Sequence, residues 1–185
     1  MKKHQLYEKL NYVNHSRAKR LEMAKLVLDN PRLVIPLMDI AFDVDEPISS
    51  RACWVLEFTA KKNLRYLDPY LDTFVENLPS VHLDSSVRPM AKICEYLILE
   101  YYQGSGNQNV SQLNRRHLEL IATASFDWLI GPQKVAPKAY SITVLYHLGK
   151  DIAWIHPELK LVLEKDYNKG SAGFKARARQ VLPRL

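Results

Sequence analysis

Four cations stand at related places in this chain. Arg51, Arg88, Lys138 and Lys175 each precede a small residue or a proline within a mostly apolar run: RACWVLEF, RPMAKICEYL, KAYSITVLYHL and KARARQVL. They lie 37, 50 and 37 positions apart. Self-similarity at a near-fixed period is the mark of stacked helical repeats. Stacking copies would line such cations up, and an aligned row has two chemical uses. It can close charge pairs between neighbouring helices, or it can line a basic groove for an acidic peptide or a nucleic-acid backbone. A buried arginine needs a partner, and Asp45 and Asp84 are available for two of the four.

Other chemistry-bearing residues form weaker patterns. The histidines His4, His15, His82, His117, His147 and His156 show no metal-ligand spacing, and no HExxH or CxxC occurs. His147, Asp151 and His156 gather around one expected helix junction, where capping is commoner than ligation. No GxSxG, phosphate-loop or Cys–His signature is present, so no catalytic residue, metal or cofactor is assigned. Cys53 and Cys94 stand at different offsets from their lead cations and read as reduced core residues. Lys175, Arg177, Arg179 and Arg184 resemble a phosphate-binding patch only on paper. At ~100° per residue, Arg179 lies ~40° from Lys175, whereas Arg177 and Arg184 lie ~180–200° away. These cations split between two faces.

The elements that must position the four cations follow from apolar spacing and from proline, glycine and capping residues. Leu6, Leu10 and Val13 give a short leading helix over 5–13. Asn14 and Ser16 precede a second over about 16–29. PRLVIPLMDIAF, 31–42, is a buried helix in which Pro36 predicts a kink or a late start. The first cation-bearing helix runs over about 47–61 and is apolar around most of its circumference, as in a helix wedged between neighbours. A partner helix over 68–78 follows, then the second cation-bearing helix over 85–103. QGSGNQNVSQ reads as a flexible connection, 104–111, that accounts for much of the wider spacing. Helices over about 112–130 and 135–148, another from Pro157, and a last one from Gly170-Ser171 complete the chain. No stretch alternates long enough to make a strand.

The chain of 185 residues is 47% hydrophobic and 25% charged, ordinary for a globule able to bury a core. Its net charge of +6 is unevenly placed: +4 over 1–30, −3 over 31–80, −1 over 81–130 and +6 over 131–185. Basic ends suit the polar caps of a repeat stack, and they also suit attraction to nucleic acid. No apolar run approaches the ~20 residues that span a bilayer, and the N-terminus lacks an apolar signal region. The expectation is a cytoplasmic protein without a membrane partner.

Asp45-x5-Arg51-Ala and Ser86-Val87-Arg88 resemble the second-helix pattern of HEAT repeats, over roughly residues 31–185. The resemblance implies that an acidic turn residue and the following arginine bond along the stack, pairing Asp45 with Arg51 and Asp84 with Arg88. Pro36, Pro69 and Pro157 stand where first helices of that family often carry proline. Lys138 and Lys175 depart from arginine, with Pro132 and Lys169 six positions upstream in place of an acid. HEAT-like folds include DNA alkylpurine glycosylases, whose grooves use aromatic, arginine and acidic residues; Trp54, Trp128, Trp154 and Asp127 are the residues such a site would draw on. The whole chain is also similar to small bacterial helical proteins often labelled adenylosuccinate lyase. The SSxMPxKxN loop of that enzyme superfamily has no counterpart here, and its activity is not carried over.

The expected architecture is an all-α, right-handed α-solenoid of HEAT or armadillo type. It comprises an N-terminal cap over 1–30, two repeats over 31–103 and two over 112–185. The expected function is a non-catalytic protein-interaction scaffold, with nucleic-acid binding as the alternative. The candidate binding or ladder residues are Arg51, Arg88, Lys138, Lys175, Asp45 and Asp84.

Overall fold

A computed structural model describes residues 3–103 and 112–185; the expected connection at 104–111 lies outside them. Ten α-helices follow in order: α1 (Lys3–Leu10), α2 (Arg17–Leu28), α3 (Val34–Ala41), α4 (Ile48–Lys62), α5 (Leu71–Asn77), α6 (Asp84–Gln103), α7 (Arg115–Ile130), α8 (Val135–Leu148), α9 (Ile155–Asp166) and α10 (Ala172–Val181). Among the described residues there is no strand, and no helix is long and apolar enough to cross a membrane.

Local chemistry sets the helix boundaries. Pro31 opens a 3-10 turn, and α3 proper begins at Val34, which leaves Pro36 in its first turn where a missing N–H costs nothing. Pro69 falls in a 3-10 stretch before α5, so that helix is shorter than its apolar pattern. Asn114 fixes the start of α7. Its side chain accepts from the His117 N–H while the His117 ring accepts from the Asn114 N–H, a capping box with histidine in the usual glutamate position.

The even-numbered helices pack in a row, α2 on α4, α4 on α6, α6 on α8 and α8 on α10. Their first turns lie side by side. Ser50 and Ser86 share a hydrogen bond of 2.9 Å at the starts of α4 and α6, Lys134 before α8 reaches Asp84 at the start of α6, and a Cβ on Gly173 in α10 would stand 2.7 Å from Val135 in α8. At the far ends, α4 and α6 together line a second depression through Lys61, Lys62, Leu99 and Glu100. The row is therefore parallel, with its helix starts along one edge. The odd-numbered helices cover its other side: α3 packs on α4, α7 and α9 on α8, α1 on α3 and α5 on α7.

One contiguous core joins the two layers, from Leu6 in α1 to Val181 in α10. Fully buried side chains include Leu37, Leu56, Phe74, Met90 and Leu97, each contributing about 1.5–3 kcal/mol when removed from water. Helix α4 is buried on nearly every side, as a helix flanked by α2, α3 and α6 must be. Cys53 and Cys94 are free and fully buried. Burial pushes both thiols up, Cys53 to about 12 and Cys94 further, so neither is a reactive thiolate.

Candidate binding groove at the helix starts

The edge formed by the helix starts carries a depression. A cavity of about 730 Å³ opens there, with Arg17 and Arg20 from α2, Trp54, Glu57 and Phe58 from α4, and Arg88 from α6. Lys134, Val135 and Pro137, where α8 begins, close the far side. A second cavity of about 370 Å³ shares Lys134 and Val135 with it and continues past Lys138 to Lys169, Ser171 and Phe174 at the start of α10. The two adjoin along the row at Lys134 and Val135.

The floor of the first cavity is set by a proline. Pro89 has no N–H with which to bond Ser85, four residues earlier in α6. The freed Ser85 carbonyl accepts instead from the Trp54 indole N–H at 2.8 Å. This bond stitches α6 to α4 and fixes the indole. The guanidinium of Arg20 lies 5.7 Å from the Trp54 ring and 5.2 Å from the Phe58 ring, and the His15 ring lies 5.0 Å from Trp54 at 41°. Arg20 is held further by its own chain, donating from Nη2 to the His15 carbonyl at 2.6 Å and from Nε to the Ser16 carbonyl at 3.4 Å. Burial lowers the Arg20 pKa, and the Arg88 charge lowers it further, with Glu57 opposing.

Arg88 forks onto Glu57, with Nη2 donating to Oε2 at 2.6 Å and Nη1 to Oε1 at 3.4 Å. Glu57 is 7% exposed. A carboxylate in so dry a place requires such a partner, and the planar fork of arginine supplies two parallel bonds.

The expected pairs Asp45–Arg51 and Asp84–Arg88 do not form. Asp45 sits in an exposed turn, 4.0 Å from His82 Nε2. Arg51 turns the other way and donates to the Leu10 and Asn11 carbonyls at 3.5 and 2.8 Å, where the open C-terminal end of α1 attracts a cation. Asp84 bonds Lys134 at 3.1 Å, while Arg88 prefers the desolvated Glu57 across the seam. An ion pair in the drier site gains more than one with a half-exposed carboxylate. The four lead cations therefore do not share one surface. Arg88 lines the first cavity and Lys138 the second; Arg51 faces α1. Lys175 is half-buried and has no ion pair within 4.0 Å among the described residues.

Sequence reasoning missed Arg20, which stands fourth in α2 as Arg51, Lys138 and Lys175 stand fourth in α4, α8 and α10. A cation there opposes the helix dipole, so its repetition along the row does nothing for the helices themselves. The Arg17-Ala18 pair in the same first turn carried the signal. Sequence reasoning also missed Glu57, although a lone carboxylate inside WVLEF could have marked it. The tryptophans do not assemble. Trp128 is buried, and Trp154 stacks on Phe126 at 5.5 Å, so Trp54 alone lines the groove.

A second polar cluster joins the end of α6 to the junction of α8 and α9. Tyr102 donates to Asp151 at 2.7 Å, Lys150 lies over the Tyr102 and Tyr146 rings, and His156 stacks on Tyr146 at 5.9 Å. Burial lowers the His147 pKa, and Lys150 lowers it further. Burial raises that of Tyr102, which donates its only proton to Asp151. The cluster ties helix ends together, and no group of three metal-ligating side chains occurs among the described residues. No protein-family profile, curated protein or solved structure matches this chain.

Proposed function

We propose that this protein is a non-catalytic protein-interaction scaffold built as a short HEAT-type α-solenoid, holding a segment of another protein along its row of helix starts. One observation carries the reading: five parallel helices place their starts along a single edge, and two adjoining cavities on that edge are lined by side chains from α2, α4, α6, α8 and α10. A stack of two-helix units exposes this kind of extended surface as a consequence of its geometry. The groove walls carry Trp54, Phe58 and three arginines, Arg17, Arg20 and Arg88, residue types enriched in protein-binding surfaces.

Val135 belongs to both cavities and is 44% exposed, whereas Leu161 on α9 is 60% exposed and lines neither. A photo-reactive benzoylphenylalanine placed at Val135 is expected to give a discrete protein adduct in cell extract, and the same group at Leu161 is not. Equal adducts from both positions, or none from Val135, would reject the scaffold.

A second reading, binding of a nucleic-acid backbone, is favoured by the cations at the helix starts, since phosphates also bind helix N-termini. It predicts a nuclease-sensitive adduct at Val135 and an affinity that falls steeply with salt.

A further inference from the structure

We infer that the first cavity is a carboxylate-binding site centred on Arg20, and that the segment it takes is an acidic peptide with apolar neighbours beside its acids. The inference rests on the scaffold reading and names the chemistry of its partner. Of the four cations in the cavity, two are spoken for: Arg88 by Glu57 and Lys134 by Asp84. Neither Arg17 nor Arg20 has a carboxylate within 4.0 Å among the described residues.

Arg20 is the preorganised member. A guanidinium has five N–H donors. Two of those on Arg20 bond the His15 and Ser16 carbonyls, and its plane rests near two aromatic rings. Three donors are left for a ligand, on a group whose rotamers are already restrained. Binding there forfeits little side-chain entropy, and a planar fork matches a carboxylate with two parallel bonds. The ligand's charge would also relieve the repulsion between Arg20 and Arg88.

The rest of the cavity distinguishes a peptide from a polynucleotide. Phe58, Val135, Ala136 and Pro137 supply an apolar wall next to the cations, suited to an aliphatic side chain adjoining the acid. Asp166, with no ion pair within 4.0 Å among the described residues, stands in the continuing cavity and would repel a phosphate there. A peptide bears charge only where its sequence puts it. The Trp54 ring, covered by His15 and Arg20 and 9% exposed, offers no open face on which a base could stack. The shared wall at Lys134 and Val135 lets one extended chain run on toward Lys138 and Lys169.

The test is fluorescence anisotropy on the full chain with a labelled peptide repeating Glu-Leu-Ser five times. The comparison probes are the Gln-Leu-Ser version and an oligothymidylate of similar length. The Glu peptide is expected to bind about tenfold or more tighter than either, the difference a charge-assisted fork contributes. Arg20→Gln should lose about tenfold. Arg17→Gln, an exposed position, should lose less. Lys160→Gln, exposed on α9, removes the same charge and should change nothing. Thermal unfolding of R20Q checks that its fold is intact, and R17Q provides an independent reading if it is not. No binding of the Glu peptide, equal binding of the Gln peptide, tighter binding of oligothymidylate, or equal losses in K160Q and R20Q would each overturn the site. A protein adduct at Val135 alongside any of those results would leave the scaffold standing and remove only its carboxylate site.

Discussion

The seams α4–α6 and α8–α10 both carry cations near their helix starts, Arg88 fifth in α6 and Lys138 and Lys175 fourth in α8 and α10, and use them differently. At the first, Arg88 is locked into a fork with the buried Glu57, and a proline-freed carbonyl ties the Trp54 indole to the same helix. At the second, Lys138 and Lys175 have no ion pair within 4.0 Å among the described residues, and α10 approaches α8 through Gly173 against Val135. The first seam spends its charge on cohesion. The second leaves its charge for solvent or a ligand and relies on close contact between small surfaces. What a cation near a helix start does is therefore decided by the neighbouring helix.

The largest effect that would break this contrast is at Arg88. Arg88→Met strands Glu57 without a partner and is expected to cost about 3–5 kcal/mol in urea unfolding. Lys138→Met and Lys175→Met should each stay within about 0.5 kcal/mol. Similar losses at the two seams would mean that lysines and arginine hold the row alike. Trp54→Phe sharpens the first half of the comparison. It keeps a ring in place but leaves the Ser85 carbonyl without its donor, for about 1–3 kcal/mol by the same unfolding measurement. If Pro89→Ala is added to supply the missing N–H, much of that loss should return; no recovery would show that the ring, not the carbonyl, matters at this seam.

The smallest effect lies outside both seams and depends on pH. A hydrogen bond from His117 lowers the Asp72 pKa from 3.8, aided by the charges of His117 and Arg116. A depressed carboxylate pKa stabilises the fold above its unfolded value. That contribution is fully present above pH 3.8 and is lost as pH falls through the lower folded value. Asp72→Asn should therefore lower the unfolding midpoint slightly at neutral pH, and the gap should close in strong acid. A gap that stays constant through acid would show that the carboxylate charge is not involved.

Much of the fold is legible in the residues. Apolar spacing with Ser16, Pro31 and Ser171 places most of the helix starts, and Arg88 and Lys138 mark the edge that α6 and α8 share. The partners of those cations were not legible. Asp45 and Asp84 lie near Arg51 and Arg88 in sequence, but a guanidinium is drawn to the driest acceptor or the most open helix end, and Glu57, Leu10 and Asn11 become such only once α1, α4 and α6 have packed. Arg20 escaped because Leu21 follows it, where Arg51, Arg88, Lys138 and Lys175 are followed by alanine or proline. Whether Ser85 has a free carbonyl depends on Pro89, which is readable. That an indole fills the vacancy depends on α4 lying alongside, which is not.

Amide hydrogen exchange on the full chain, with and without the Glu-Leu-Ser peptide, tests the shared edge most directly. The first amides of each helix lack intrahelical partners and are where a ligand lying across the row should slow exchange. Protection is expected in segments 14–20, 84–88, 133–138 and 169–175, with α9 around Leu161 unchanged. Protection confined to α9, or absent from the starts of α2, α6 and α8 while the peptide is bound, would contradict a binding face at the helix starts.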